Sequence, residues 1–348
     1  MSPDVISRDW KRFLLTNRTA LLVVLLVVVI AAFMSLSAAK VFSAAYNFDY
    51  MAAATINLVP LVLLALAEML VIVSGAGGID LSVGANVTLS GMIFGFMYGM
   101  WGWPLGLAIV VAILLGALFG LVNGALVAYL GYPPLIVTLA TYYAMWSISL
   151  VINGQQPIST KPIQDLYSLS KSVELPLIGQ YVPLIPLSVF IFLIPTVVIV
   201  WLVVAKTTYA RRLYAIGTND VAASWAGINV KLTRMLAYIG TGAIAGLVSV
   251  VTVSEFASAM PDAGVSGNGM ALPSITIAIL GGVAITGGIG GVAGVVLAGM
   301  LVVWLNAGIL IAIPGNGGSQ FQLFALGAIL VGSALLNGFT NRRYAGAR

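Results

Sequence analysis

Apolar residues run through this chain in long uninterrupted blocks, and polar residues gather in the short stretches between them. The blocks cover about residues 20 to 33, 51 to 73, 83 to 100, 103 to 129, 135 to 153, 185 to 205, 235 to 257, 271 to 286, 291 to 313 and 321 to 338. Most approach the ~20 apolar residues that a helix needs to cross a bilayer. The pattern predicts an all-α, polytopic membrane protein of about ten transmembrane helices, some broken by glycine, forming one domain over residues 1–348. Two stretches are too polar to span, about 154 to 184, with Pro157, Pro162 and Pro176, and about 206 to 234.

Basic residues then set the orientation, because cytoplasmic loops hold the excess of Lys and Arg. With the N-terminus inside, the inside segments hold Arg8, Lys11, Arg12 and Arg18, then Lys206, Arg211, Arg212, Lys231 and Arg234, then Arg342, Arg343 and Arg348. Only Lys40, Lys161 and Lys171 fall outside. Twelve of fifteen basic residues inside imply that both termini are cytoplasmic, that 206–234 is a cytoplasmic loop and that 154–184 faces the other side. The basic start ahead of the first apolar block has the look of a secretory signal. No small-residue cleavage site followed by a soluble chain appears, so this block reads as a retained helix.

Composition narrows the chemistry. The chain is 61% hydrophobic and 7% charged, with a mean hydropathy of +1.10, where a soluble domain carries about 25% charged residues. It has no Cys and no His, so disulfides, thiol chemistry and the common zinc or haem sites lack ligands, and no metal or cofactor is expected. The net charge of +5 is spread over ends and loops, which fits membrane orientation rather than nucleic-acid binding. No Gly-Lys-Ser or Gly-Lys-Thr occurs, so the chain has no P-loop with which to hydrolyse ATP.

The most specific stretch is Gly77-Gly78-Ile79-Asp80-Leu81-Ser82-Val83-Gly84, which sets a lone carboxylate and three glycines between two membrane-length blocks. The glycine pair permits a tight turn or close backbone approach. Asp80 and Ser82 are placed to cap the helix that follows. Gly287-Gly288-Ile289-Gly290-Gly291-Val292-Ala293-Gly294 echoes the motif without the carboxylate, by chance in a glycine-rich chain or as the second of two broken segments flanking a transport path. Gly116, Gly120 and Gly124 make one small helix face suited to close packing, with Asn123 beside it. Glu68 and Glu255 fall inside apolar blocks with no basic partner there, so each must be neutral, hydrogen-bonded or water-facing, and Glu255 lies near enough to the outer end to reach the headgroups. In the cytoplasmic loop, Thr218 or Asn219 can cap a short helix from Asp220 that Gly227 ends, with Trp225 as an anchor for a partner or for lipid headgroups.

The first motif resembles the signature of permease subunits of bacterial ATP-driven importers for simple sugars. Two further stretches match that family in order: Leu213 to Asn219 with Ala222-Ala223 and Ala226 to Val230, and the glycine pairs Gly281-Gly282 and Gly287-Gly288 leading to Gly290, Gly291 and Gly294. The resemblance implies an inner-membrane permease without catalytic residues. It implies pairing with a second permease copy or a diverged sister, with cytoplasmic ATP-binding subunits and with a periplasmic sugar-binding protein. Gly77, Gly78, Asp80, Ser82, Gly84, Gly287, Gly288, Gly294 and Glu68 would belong to the translocation path. Arg211, Arg212, Gly217, Asn219, Asp220, Trp225 and Gly227 would belong to the coupling region. Two readings compete: an ion-coupled secondary transporter with Glu68 or Glu255 as proton carrier, and a membrane-embedded enzyme built on Glu68, Asp80 and hydroxyls. The sparse ionisable groups in the blocks count against both.

Overall fold

A computed structural model describes residues 17–42, 44–174, 183–265 and 269–344, with side chains of the last helix described only as far as residue 335. Arg8, Lys11, Arg12, Arg348 and Pro176 lie outside the described residues, as do the side chains of Arg342 and Arg343. Helices dominate: α1 Arg18–Ala38, α2 Phe48–Val73, α3 Val83–Phe94 continued by π turns over Gly95–Met100, α4 Leu105–Ala128 and α5 Pro134–Val151. After the short α6, Lys161–Asp165, come α7, Ile194–Lys206, then α8, Thr208–Thr218, and α9, Asp220–Trp225. The remaining helices are α10 Val230–Phe256, α11 Ala271–Leu280, α12 Val292–Ala312 and α13 Asn316–Tyr344. The only sheet among the described residues pairs β1, Ser172–Val173, with β2, Ile185–Pro186, antiparallel.

Asparagine caps start three of the long helices. Asn17, Asn47 and Asn229 each accept a backbone N–H of the first turn of α1, α2 and α10, at 3.2, 2.9 and 2.9 Å. α2 is apolar on all sides and is buried continuously from Val62 to Val73, so it forms the centre of the molecule. α1 is equally apolar but buries only Leu22, which leaves it facing lipid. α4 and α10 make the closest helix pair: a Cβ at Gly116 would overlap the Gly242 carbonyl, and one at Gly120 the Tyr238 carbonyl. The small-residue face of α4 therefore serves packing, as its spacing predicted.

Among the described residues nine helical stretches are long and apolar enough to cross a bilayer, and the eighth predicted span is not one of them. The expected helix over 271–286 stops at Leu280, and its 10 residues reach about 15 Å, half of the ~30 Å hydrocarbon layer. Nine membrane-length helices and one half-length apolar helix thus stand among the described residues where ten spans were expected. Arg18 at the start of α1 packs on Gly282, and it shares a crevice with Leu280 and with Ile329 and Ser333 of α13. The loop after α11 therefore lies at the basic end of the molecule. The opposite end holds Ile158 bridged to Ala259, with Thr160 donating to the Gly99 carbonyl at 3.0 Å.

Candidate translocation and coupling site

Between α2 and α3 the chain is unwound through Ser74 to Ser82. Gly75, Ala76 and Gly77 follow one another in the left-handed region at φ 75°, 55° and 70°, a run that two glycines make tolerable and that ends α2 abruptly. Gly78 lies against the Val71 carbonyl, where a Cβ would come within 2.5 Å. Its role is close approach rather than a special backbone angle. The segment then turns inward. Asp80 and Ser82 are buried, and Asp80 Oδ1 accepts both the N–H and the hydroxyl of Ser82, at 2.9 and 2.5 Å.

This bond corrects the expected cap. Ser82 precedes α3 but makes no side-chain bond to its first turn, because its hydroxyl is given to Asp80 and accepts from Asn123 Nδ2 at 2.8 Å. Asp80 closes an Asx turn onto a residue two positions on. Asn123 in turn accepts from Thr141 at 2.8 Å, so the network ties the break to α4 and α5. Glu68, fully buried within α2, accepts the Asp80 N–H through Oε2 at 3.3 Å, and its Oε1 has no hydrogen-bond partner among the described residues. The two acids therefore meet. Glu255, for which the outer headgroups were one option, has its Oε1 buried without a hydrogen-bond partner among the described residues.

The second broken segment mirrors the first. The first is non-helical over 74–82 and then helical through α3; the second is non-helical at 257–265 and 269–270 and then helical through α11. They cross at Gly84 and Gly264, whose backbones touch so closely that a Cβ on either would overlap the other's carbonyl. The Gly264 N–H donates to Thr88 Oγ1 at 2.9 Å. Beside the crossing a cavity of about 350 Å³ opens between α5 and residues 264–265 and 269–272, with Tyr142 and Tyr143 on its wall. A second, of about 470 Å³, lies beyond Gly269 and Pro273 against α2, α12 and α13.

At the basic end, three of the predicted glycine sites come together. Gly217 packs on the Val73 carbonyl and on Gly288, Gly287 lies against Gly75, and the Gly288 N–H donates to Val73 O at 3.0 Å. Gly294 does not join them; it packs α12 against Gly281. Gly217, assigned by resemblance to coupling, is thus buried against the break, while Arg211 and Arg212 are exposed. Asn219 caps α9 by accepting the Ala222 N–H at 3.0 Å, and Gly227 ends the turn at φ 79°. Trp225 is 89% exposed and Val221, one turn earlier, 66%. Tyr209 and Tyr214 donate to the carbonyls of Thr233 and Gly290 at 3.3 and 2.8 Å. Burial raises the pKa of both above the ordinary phenol value.

Sequence reasoning placed Arg234 among loop charges, yet it is 8% exposed and donates through Nη2 to Ser74 O at 3.2 Å and to Asp220 Oδ2 at 2.7 Å. Asn123 was noted only as a packing neighbour. A lone amide in an apolar span was the available signal for it. Nothing local marked Gly264 or Thr88, which matter through each other.

Two broken crossings that meet deep among full-length helices, with an exposed capped helix at the basic end, define the membrane subunit of a transporter. A family model described as "Branched-chain amino acid transport system / permease component" matches residues 50–334. The autoinducer 2 import system permease protein LsrD of Klebsiella pneumoniae is 33% identical over 280 residues, 78% of this chain and 80% of that protein. The LsrD proteins of an Enterobacter species and of Yersinia enterocolitica are also 33% identical over 280 residues, 78% of this chain and 81% and 80% of theirs. No solved structure matches the chain. The chain belongs to this permease family, as a multi-pass bacterial inner-membrane subunit of an ATP-driven importer. Such subunits are not enzymes themselves and work with ATP-binding subunits and a substrate-binding protein. The family assignment overturns the secondary-transporter alternative built on Glu68 or Glu255.

Proposed function

We propose that two permeases, two copies of this chain or one with a diverged sister, enclose a path between α5 and residues 264–265 and 269–272, and that the motif residues around Asp80 and Gly84 form its inner wall. One observation carries the reading: the cavity beside Tyr143 and Leu272, which are 57% and 59% exposed, is lined by the non-helical residues Val265, Gly269 and Met270, all of them partly exposed. In a bilayer such backbone must be covered by protein or wetted by an aqueous path. The periplasmic stretch 154–184 is the docking side for the binding protein, and 206–234 is the coupling loop. Within that loop Val221 and Trp225 are four residues apart on α9 and make one apolar face suited to a groove in an ATP-binding subunit.

The cargo we propose is a small neutral hydroxylated molecule, a simple sugar or a sugar-like signal of the kind that the relatives named for autoinducer 2 import carry. Among the described residues no charged side chain lines the cavity beside Tyr142 and Tyr143, and a zwitterionic amino acid would leave its ammonium and carboxylate unpaired there. Uptake by the whole complex in proteoliposomes tests this. ATP should drive it after collapse of the proton gradient, and simple sugars should compete where leucine does not. Competition by leucine alone would reverse the assignment of cargo.

A further inference from the structure

We propose that Arg234 is a latch that transmits displacement of α9 to the unwound segment after α2, a positioning role that rests on α9 being the docking element for the ATP-binding subunits. Arg234 lies near the start of α10, where the helix dipole disfavours a positive charge. What holds it there comes from other elements. Ser74, whose carbonyl it binds at 3.2 Å, is the residue that ends α2, where the dipole is negative and the break begins. Asp220, bound at 2.7 Å, is the first residue of α9. A single nitrogen thus joins the end of the central helix to the exposed cytoplasmic helix.

The pair is suited to transmit force. The Arg234 side chain is 10% exposed against 41% for Asp220, so withdrawing the carboxylate would strand a buried guanidinium, a costly state that the chain avoids by moving Arg234 with it. Arg234 Nε is buried with no hydrogen-bond partner among the described residues. The guanidinium is therefore incompletely satisfied in this arrangement and holds a donor ready for another. Movement of Arg234 acts directly on Ser74, six residues before Asp80 and next to the left-handed run at Gly75, Ala76 and Gly77.

The chain has no cysteine, so Ala76→Cys places one thiol at an exposed position in the break without adding a Cβ to its positive φ. The measurement is the maleimide reaction rate at that thiol in the complex purified with its ATP-binding subunits, with and without ATP. We expect ATP to change the rate. Asp220→Asn keeps the Asn219 cap and the copurifying subunits, yet should cut the ATP effect by about fivefold or more, and Asp220→Glu should restore it. A full ATP response in Asp220→Asn, or none in the Ala76→Cys parent, overturns the latch. Trp225→Ala separates the reading beneath: copurification and ATP response both intact in that variant would remove α9 as the docking element, whatever Asp220→Asn does.

Discussion

Asp80 Oδ1 holds two donors of one residue, the backbone N–H and the hydroxyl of Ser82, and both can be accepted by an amide oxygen. Asp80→Asn should therefore keep most of the uptake. Asp80→Ala leaves a buried N–H and a buried hydroxyl with one partner fewer, at a cost of about 1 to 3 kcal/mol, and should lose much of it. Loss of uptake by Asp80→Asn in a folded, assembled complex would show that the carboxylate itself acts. The glycines divide by what surrounds them. Gly77 has φ 70° and nothing within 4 Å of a built Cβ, so Gly77→Ala should cost about 1 kcal/mol through backbone strain alone. A Cβ at Gly84 would overlap the Gly264 carbonyl, so Gly84→Ala should lower the melting temperature in detergent further, by overpacking worth about 1 to 3 kcal/mol. Equal melting of the two variants would contradict the crossing. The motif marked these residues, but the sequence could not separate a turn glycine from a contact glycine, since both look alike until the second backbone is in place.

At the scale of elements, the long helices followed from local apolar runs and asparagine caps, both of which act within a few residues. The exceptions are the two interrupted crossings. Apolar content alone ran α11 on to residue 286, whereas Gly281 packs against Val295 of α12, an approach that requires the chain to turn there. α9 was legible from Asn219, Asp220 and Gly227, and its anchor from Trp225; the exposure of Val221 beside it came with the structure. If that face enters a groove in the ATP-binding subunit, Trp225→Ala removes an anchor worth about 2 kcal/mol or more. ATPase copurification and uptake should fall while membrane insertion stays normal. Unchanged copurification would instead place Trp225 in the headgroups.

At the scale of the whole molecule, the charge asymmetry expects both termini on one side, and among the described residues Arg18 of α1 shares a crevice with Ile329 and Ser333 of α13. A cysteine at Thr160 should react with an impermeant maleimide from outside intact cells, and one at Thr218 only after the inner face is opened. Labelling of both from one side would break the ten-crossing topology. The sequence by itself determined the membrane class and the positions of the glycine-rich interruptions, because insertion depends on apolar content summed over nearby residues. Only the tertiary structure decided that Gly84 meets Gly264, that Gly217 closes on Gly288 and Val73, that Asp80 joins Glu68, and that Arg234 leaves the loop charges to bind Ser74 and Asp220. Glycine carries no side chain to name its partner, and a buried polar group is satisfied by whichever backbone the packing brings within reach. Such pairings are therefore set by the geometry of helices far apart in sequence.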